Sequence, residues 1–258
     1  MVARLRAAGC VFAEEEAALL VAEAADGAAL EDLVVRRLAG EPLEHLLGWA
    51  EFAGRRMVVA PGVFVPRRRT ELLAREAVAA ARSAGSAPVV VELCCGVAAV
   101  AAVVAEDVPG SVVLAVDDDP AAVACARVNL GERGTALLGD LDSPLPDRLR
   151  GGVDVLVANP PHVPSGEIAL MPSEARDHES RSALDGGPDG ADLLRRVVAA
   201  ARSWLAPDGV LLLEAGRAQA VALVEELEQG LGRPDWRSVV RADDDVQGTV
   251  IQTGTLSL

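Results

Sequence analysis

The residues best suited to chemistry lie where an apolar run, Val153–Ala158, opens directly into Asn159-Pro160-Pro161-His162. Asn159 offers a side-chain carbonyl that accepts and an amide that donates hydrogen bonds. Pro160 and Pro161 fix φ and remove backbone donors, leaving the Pro160 carbonyl able to accept. A planar amide nitrogen is a poor nucleophile because its lone pair is delocalised. Two acceptors holding its hydrogens can turn that nitrogen toward an electrophilic methyl group, which is catalysis by positioning. His162 would stack on the planar substrate or line its pocket. The plain alternative is a proline-rich strand-to-loop turn.

Three further loops could serve the same reaction. In residues 91–100 a strand runs into a helix through Glu92, Cys94, Cys95, Gly96, Val97 and Ala98. A turn of small residues lets a ligand approach the backbone and the helix N-terminus. Only Gly96 remains of a glycine-rich pattern, so an ordinary tight turn is the competing explanation. About 20 positions after that loop, Asp117 closes an apolar run, where a carboxylate suits the two hydroxyls of a ribose. Asp118 beside it is a second cofactor candidate, although Asp118 and Asp119, followed by Pro120, could also cap the next helix. Asp140 could accept from an adenine amine while Leu141 covers the ring; a turn aspartate is the simpler explanation of Asp140 alone.

These loops need a scaffold. From Pro88 onward, apolar runs at 89–93, 112–116, 136–138, 153–158 and 210–213 alternate with helical stretches at 98–106, 120–129 and 191–205. The pattern predicts a doubly wound, mostly parallel α/β sheet of Rossmann-like type, with strands covered on both faces. Such sheets bind ligands at the carboxyl ends of their strands, where all four loops fall. Residues 236–241 and 248–254 could add an antiparallel pair. Residues 1–48 read as short amphipathic helices, including 14–25 and 30–38. Met57–Ala60 and Val63–Val65 around Pro61-Gly62 predict a hairpin.

Composition narrows the function. The 258 residues are 51% hydrophobic and 24% charged, enough apolar content for a substantial core. The formal charge of −15 argues against an extended nucleic-acid surface, which requires clustered positive charge. The four cysteines, Cys10, Cys94, Cys95 and Cys125, lack metal-site spacing and do not form a disulfide framework, which fits a reduced, cytoplasmic setting. No metal is expected. No window is long and apolar enough for a membrane span. The chain contains neither lysine nor tyrosine.

The Asn159–His162 motif resembles the N-P-P-Y signature of amino-group methyltransferases. Over nearly its whole length the chain is similar to the glutamine-N5 methyltransferases that modify peptide-chain release factors, the HemK/PrmC family. The likeness includes residues 40–54, then 65–73, which resemble the family's P-R-P-E-T-E stretch. It continues through the 94–98 loop, Asp117, Asp140 and the Asn159 motif, while residues 168–197 resemble an uncharacterised branch beside the release-factor enzymes. This resemblance implies a class I methyltransferase fold, with a helical substrate-recruiting domain at 1–50, a hairpin linker at 51–70 and a catalytic domain at 71–258. It implies S-adenosyl-L-methionine held by residues 94–98, Asp117, Asp140 or Leu141, and Asn159. It further implies a substrate amide held by Asn159 and Pro160, with direct transfer at the sulfonium methyl.

The chain departs from the family pattern where G-x-G-x-G becomes Cys94 to Ala98, where tyrosine becomes His162, and where arginine replaces an acidic residue within Arg67–Arg69. The implied partner is a protein with an exposed glutamine, and the expected form a monomer or weak dimer. Methylation of a small-molecule or peptide natural-product nitrogen, DNA adenine methylation, and a degenerate cofactor-binding module are the alternatives; the acidic charge weighs against DNA. Arg67–Arg69 could neutralise an acidic substrate, bind the cofactor carboxylate or simply be solvated. His45 and His178 read as surface and loop residues and Cys125 as helix core, while Glu179 and Asp185 fall where a substrate lid would sit.

Overall fold

Continuous apolar runs become the centre of one seven-stranded sheet. In this computed structural model, which describes residues 1–243 and 248–254, the sheet carries helices on both faces. The amino-terminal region is α1 (Val2–Ala7), α2 (Ala13–Glu23), α3 (Gly27–Leu38) and α4 (Leu43–Leu47). Leu5, Leu20 and Val34 give it a separate core. Asp26 caps α3 by accepting from the Ala28 and Ala29 N–H groups. His45 corrects its expected surface placement: it is buried, with Nε2 2.8 Å from the Val63 carbonyl oxygen.

The hairpin also differs from expectation. Its strands are β1 (Trp49–Phe52) and β2 (Arg55–Val58), and the turn between them is Ala53-Gly54. Both turn residues have positive φ, 51° and 73°, as two-residue hairpin turns require. Pro61-Gly62 does make a turn, with the Val63 N–H donating to the Ala60 carbonyl and Gly62 at φ 85°. That is the type II pattern, and it joins no pair of strands.

The chain then runs α5 (Glu71–Ala84), β3 (Val89–Leu93), α6 (Ala99–Asp107), β4 (Val112–Asp117), α7 (Pro120–Leu130), β5 (Gly134–Leu138) and β6 (Val153–Ala158). It continues with α8 (Ser173–His178), α9 (Asp192–Trp204), β7 (Leu205–Glu214), α10 (Arg217–Glu226), β8 (Arg237–Asp243) and β9 (Gly248–Gly254). The strand order is β5-β4-β3-β6-β7-β9-β8, with β3 to β7 parallel and the last two strands antiparallel. α5, α6 and α7 cover one face, around Leu73, Val104 and Leu130; α9 and α10 cover the other, around Leu194, Trp204 and Leu223. The order reverses between β3 and β6, so the loops leaving those two strands diverge and open a crevice. Among the described residues, no helix is long and apolar enough to cross a membrane.

Candidate active site

At that reversal lies a cavity of about 540 Å³, a volume ordinary for a small-molecule site. Every loop residue expected to bind cofactor or substrate lines it except Ala98. Ala98 is fully buried at the start of α6, with its N–H donating to the Cys95 carbonyl.

The loop after β3 is shaped by backbone. Cys94, Gly96 and Ala98 have φ of 51°, 53° and 58°. These alternate positions are where G-x-G-x-G enzymes carry glycine, the residue that adopts positive φ freely. In this chain Cys94 and Ala98 hold the same conformation with a side chain attached, at a strain of about 1–2 kcal/mol each. Of the two added side chains, that of Ala98 is buried in the core below the loop, whereas Cys94 lines the cavity; a Cβ built on Gly96 would meet no atom within 4 Å. Burial raises the pKa of the Cys94 and Cys95 thiols, so both stay protonated.

Two carboxylates fix this loop. Glu92, 4% exposed, accepts from the Ala101 N–H at 2.7 Å and so caps α6 from the preceding strand. Burial, aided by the nearby Asp117 charge, pushes its pKa up to about 8. Asp117 accepts from the Gly96 N–H at 2.7 Å and from the Asp119 N–H at 3.0 Å, one on each oxygen. Burial raises its pKa also, against those two hydrogen bonds. Each oxygen keeps lone-pair capacity for a ligand hydroxyl. The neighbouring acids Asp118 and Asp119 both line the cavity, and Asp119 is also the helix cap, accepting from the Ala121 N–H. Asp140 pairs with Arg196 at 2.7 Å, and Leu141 beside it has φ 48°.

The opposite wall is the Asn159 corner. Asn159 Nδ2 donates to Thr70 Oγ1 at 3.3 Å, which orients the side-chain carbonyl. Nδ1 of His162 lies 2.9 Å from the Pro160 carbonyl oxygen. Burial lowers the His162 pKa, opposed by the Pro160 hydrogen bond and Glu214.

Sequence reasoning missed what holds the segment over this wall. Arg67 Nη2 pairs with Oε1 of Glu179 at 2.5 Å, and Arg69 Nε with Oε1 of Glu214 at 3.1 Å. Both glutamates are buried, and each has a second oxygen with no hydrogen-bond partner. Arg67 and Arg69 are therefore anchored, not merely solvated. Glu179 is an anchor beneath the segment, while Asp185 lines the cavity. A carboxylate closing an apolar strand, as Glu214 does, is the signal that could have been noticed. Among the described residues, no cluster of three or more histidine, cysteine, aspartate or glutamate side chains could hold a metal ion.

Fold and pocket together define a Rossmann-like class I methyltransferase. The methyltransferase small domain family matches residues 56–187. The release factor glutamine methyltransferase of Geobacter sulfurreducens is 39% identical over 196 residues, covering 75% of this chain and 67% of that protein. The 4-amino-L-phenylalanine/4-methylamino-L-phenylalanine methyltransferase of Streptomyces pristinaespiralis is 40% identical over 205 residues, covering 78% of this chain and 69% of that one. The chain thus spans about two thirds of the length of these relatives. The crystal structure of ribosomal protein L11 methylase from Lactobacillus delbrueckii superposes with a TM-score of 0.53 at 15% identity, covering 77% of this chain and 84% of that one, a likeness of fold. Within the class I methyltransferases, this chain belongs to the HemK/PrmC-type protein-(glutamine-N5) methyltransferase family.

Proposed function

We propose that the chain transfers the methyl group of S-adenosyl-L-methionine to the side-chain amide nitrogen of a glutamine in a protein such as a peptide-chain release factor. The observation that carries this reading is one cavity bounded by the 94–98 loop and Asp117 on one side and by the Asn159-Pro160 corner on the other. The open space over Gly96 fits the cofactor's amino-acid part. Asp117 would take the ribose hydroxyls, and Asp140 and Leu141 the adenine. When bound, the cofactor supplies an electrophilic sulfonium methyl. The Asn159 carbonyl accepts one substrate N–H and turns the nitrogen toward that methyl, and the prolines hold the corner rigid. The amino-terminal helices would recruit the protein substrate. They reach the rim through Arg37, 8% exposed, which bonds Glu16 at 2.6 Å and Glu174 of α8 at 2.5 Å. The −15 charge favours a monomer or weak dimer acting on protein over one acting on nucleic acid.

Intact-mass measurement of release factors incubated with the chain and S-adenosyl-L-methionine tests the reading. One methyl increment, mapped to a glutamine, is the expected result; its absence alongside calorimetric cofactor binding rejects glutamine as the acceptor. A second reading, methylation of a small-molecule nitrogen, is favoured by His162 standing where the family carries tyrosine, with its Nδ1 engaged by the Pro160 carbonyl oxygen. The aminophenylalanine enzyme among the relatives gives this reading a concrete probe.

A further inference from the structure

The His162 ring is held in one orientation and one tautomer. A carbonyl can only accept, so the 2.9 Å contact with Pro160 places the ring hydrogen on Nδ1. The neutral imidazole then carries its lone pair on Nε2. The ring lines the cavity. Its backbone is fixed from two sides. The Gln219 side chain of α10 donates to the His162 carbonyl at 2.7 Å while accepting from the Gly216 N–H at 3.1 Å. Gly186 and Gly190 pack so closely that a Cβ on either would come within 2.7 Å and 2.5 Å of His162 main-chain atoms.

The charged groups acting on the ring are Glu214, at the end of β7, and Arg69, from the segment before α5. α10 contributes the neutral amide of Gln219, and the 186–190 turn its glycines. Burial outweighs the effect of Glu214 and keeps the pKa below the ordinary histidine value, so the ring is neutral near neutral pH.

We propose that Nε2 of His162, in place of the Pro160 carbonyl, is the second hydrogen acceptor for the nitrogen being methylated, and that this imidazole receives the proton the nitrogen sheds. The inference rests on the reading of N-methyl transfer. The nitrogen lone pair forms the N–C bond as the C–S bond breaks and its electron pair returns to sulfur. One N–H bond then breaks and its proton passes to Nε2, leaving an imidazolium that loses it to solvent. A weakly basic imidazole can take this proton from the cation that methyl transfer leaves on an amide or arylamine nitrogen, since both cations are more acidic than imidazolium. It cannot take it from an alkylammonium ion. His162 therefore selects conjugated nitrogens and rejects lysine-type amines.

The tautomer is read directly from nitrogen NMR of chain labelled with 15N-histidine, using His162→Gln to assign the His162 signals among the three histidines. An Nδ1–H ring titrating below the ordinary value is expected; a ring protonated on Nε2 overturns the proposal. Transfer is then followed from S-adenosyl-L-methionine to a synthetic release-factor peptide carrying glutamine and to 4-amino-L-phenylalanine, across the pH range of histidine titration. The wild-type rate should fall on the acid side. His162→Phe should be about 100-fold slower and lack that acid limb while binding cofactor normally. His162→Gln, which also lacks a basic ring nitrogen, gives the same comparison if the phenylalanine variant fails to fold. Variants that keep both the rate and the acid limb overturn the proposal, as does equal transfer to an alkylamine. If the wild-type chain methylates neither probe, the acceptor assignment falls, while the nitrogen signals still decide whether Nε2 is free to accept.

Discussion

The two walls of the cavity are built by opposite means. The wall formed by the loops after β3, β4 and β5 is made of main chain: Cys94, Gly96, Ala98 and Leu141 all have positive φ, and the carboxylates of Glu92 and Asp117 serve backbone N–H groups. The Asn159 wall is made of side chains brought from far away, with Arg67 and Glu179 separated by 112 positions and Arg69 and Glu214 by 145. A main-chain wall tolerates altered residues as long as its conformation survives, which is why Cys94 and Ala98 can replace glycine. A side-chain wall depends on pairs whose loss leaves a charge buried.

The sharpest break between the walls should come from Asn159→Ala. Its side chain donates one 3.3 Å hydrogen bond to the structure, so the melting temperature should hardly move. The loss of positioning should slow methyl transfer about 100-fold, measured in single turnovers; a full rate would reject the positioning role. Next comes Arg69→Ala, which strands the 2%-exposed Glu214. Chemical denaturation should show a loss of about 2 kcal/mol, restrained because the guanidinium is itself half exposed. Adding Glu214→Gln should restore much of that loss, and a purely additive double variant would mean the pair is not coupled.

On the main-chain wall the effects are gentler. The unfolded Glu92 ionises near 4.5 and the folded one only at about 8. Between those values the folded state therefore binds the extra proton, and stability should decline as pH rises, with a limiting slope of about 1.4 kcal/mol per pH unit. Glu92→Gln should flatten that slope; an unchanged slope would show that Glu92 is ionised when folded. The smallest effect is expected for Ala98→Gly. The methyl group lost is fully buried, yet removing it relieves a positive φ, so stability should change by less than about 0.5 kcal/mol. Ala101→Gly, equally buried but inside α6, should cost about 1–2 kcal/mol. Equal losses at the two positions would show that the strain is not there.

The same contrast explains what could be read from sequence. The strands at 89–93, 153–158 and 248–254 and the loops leaving the parallel strands were legible, because a buried strand and the turn that ends it are local patterns. The hairpin was misplaced because Pro61-Gly62 is the stronger turn signal, while Ala53-Gly54 makes the hairpin turn with an alanine at positive φ. His45 and the two arginine–glutamate pairs were not legible. Nothing within a few residues of Arg69 indicates that it meets the end of a strand 145 positions on. The positive φ of Cys94 and Ala98 was similarly hidden, since neither residue type signals it.

Asn129 joins three parts of the molecule through one amide: its Oδ1 accepts from the Val58 N–H at 2.7 Å, and its Nδ2 donates to the carbonyls of Val58 at 3.1 Å and Val97 at 2.8 Å. The hairpin is therefore stitched to α7 and to the glycine-position loop, and the place to shorten the protein is ahead of Trp49. A fragment beginning at Trp49 keeps the stitch, whereas one beginning at Glu71 leaves the Val97 carbonyl with an asparagine whose other partners have been cut away.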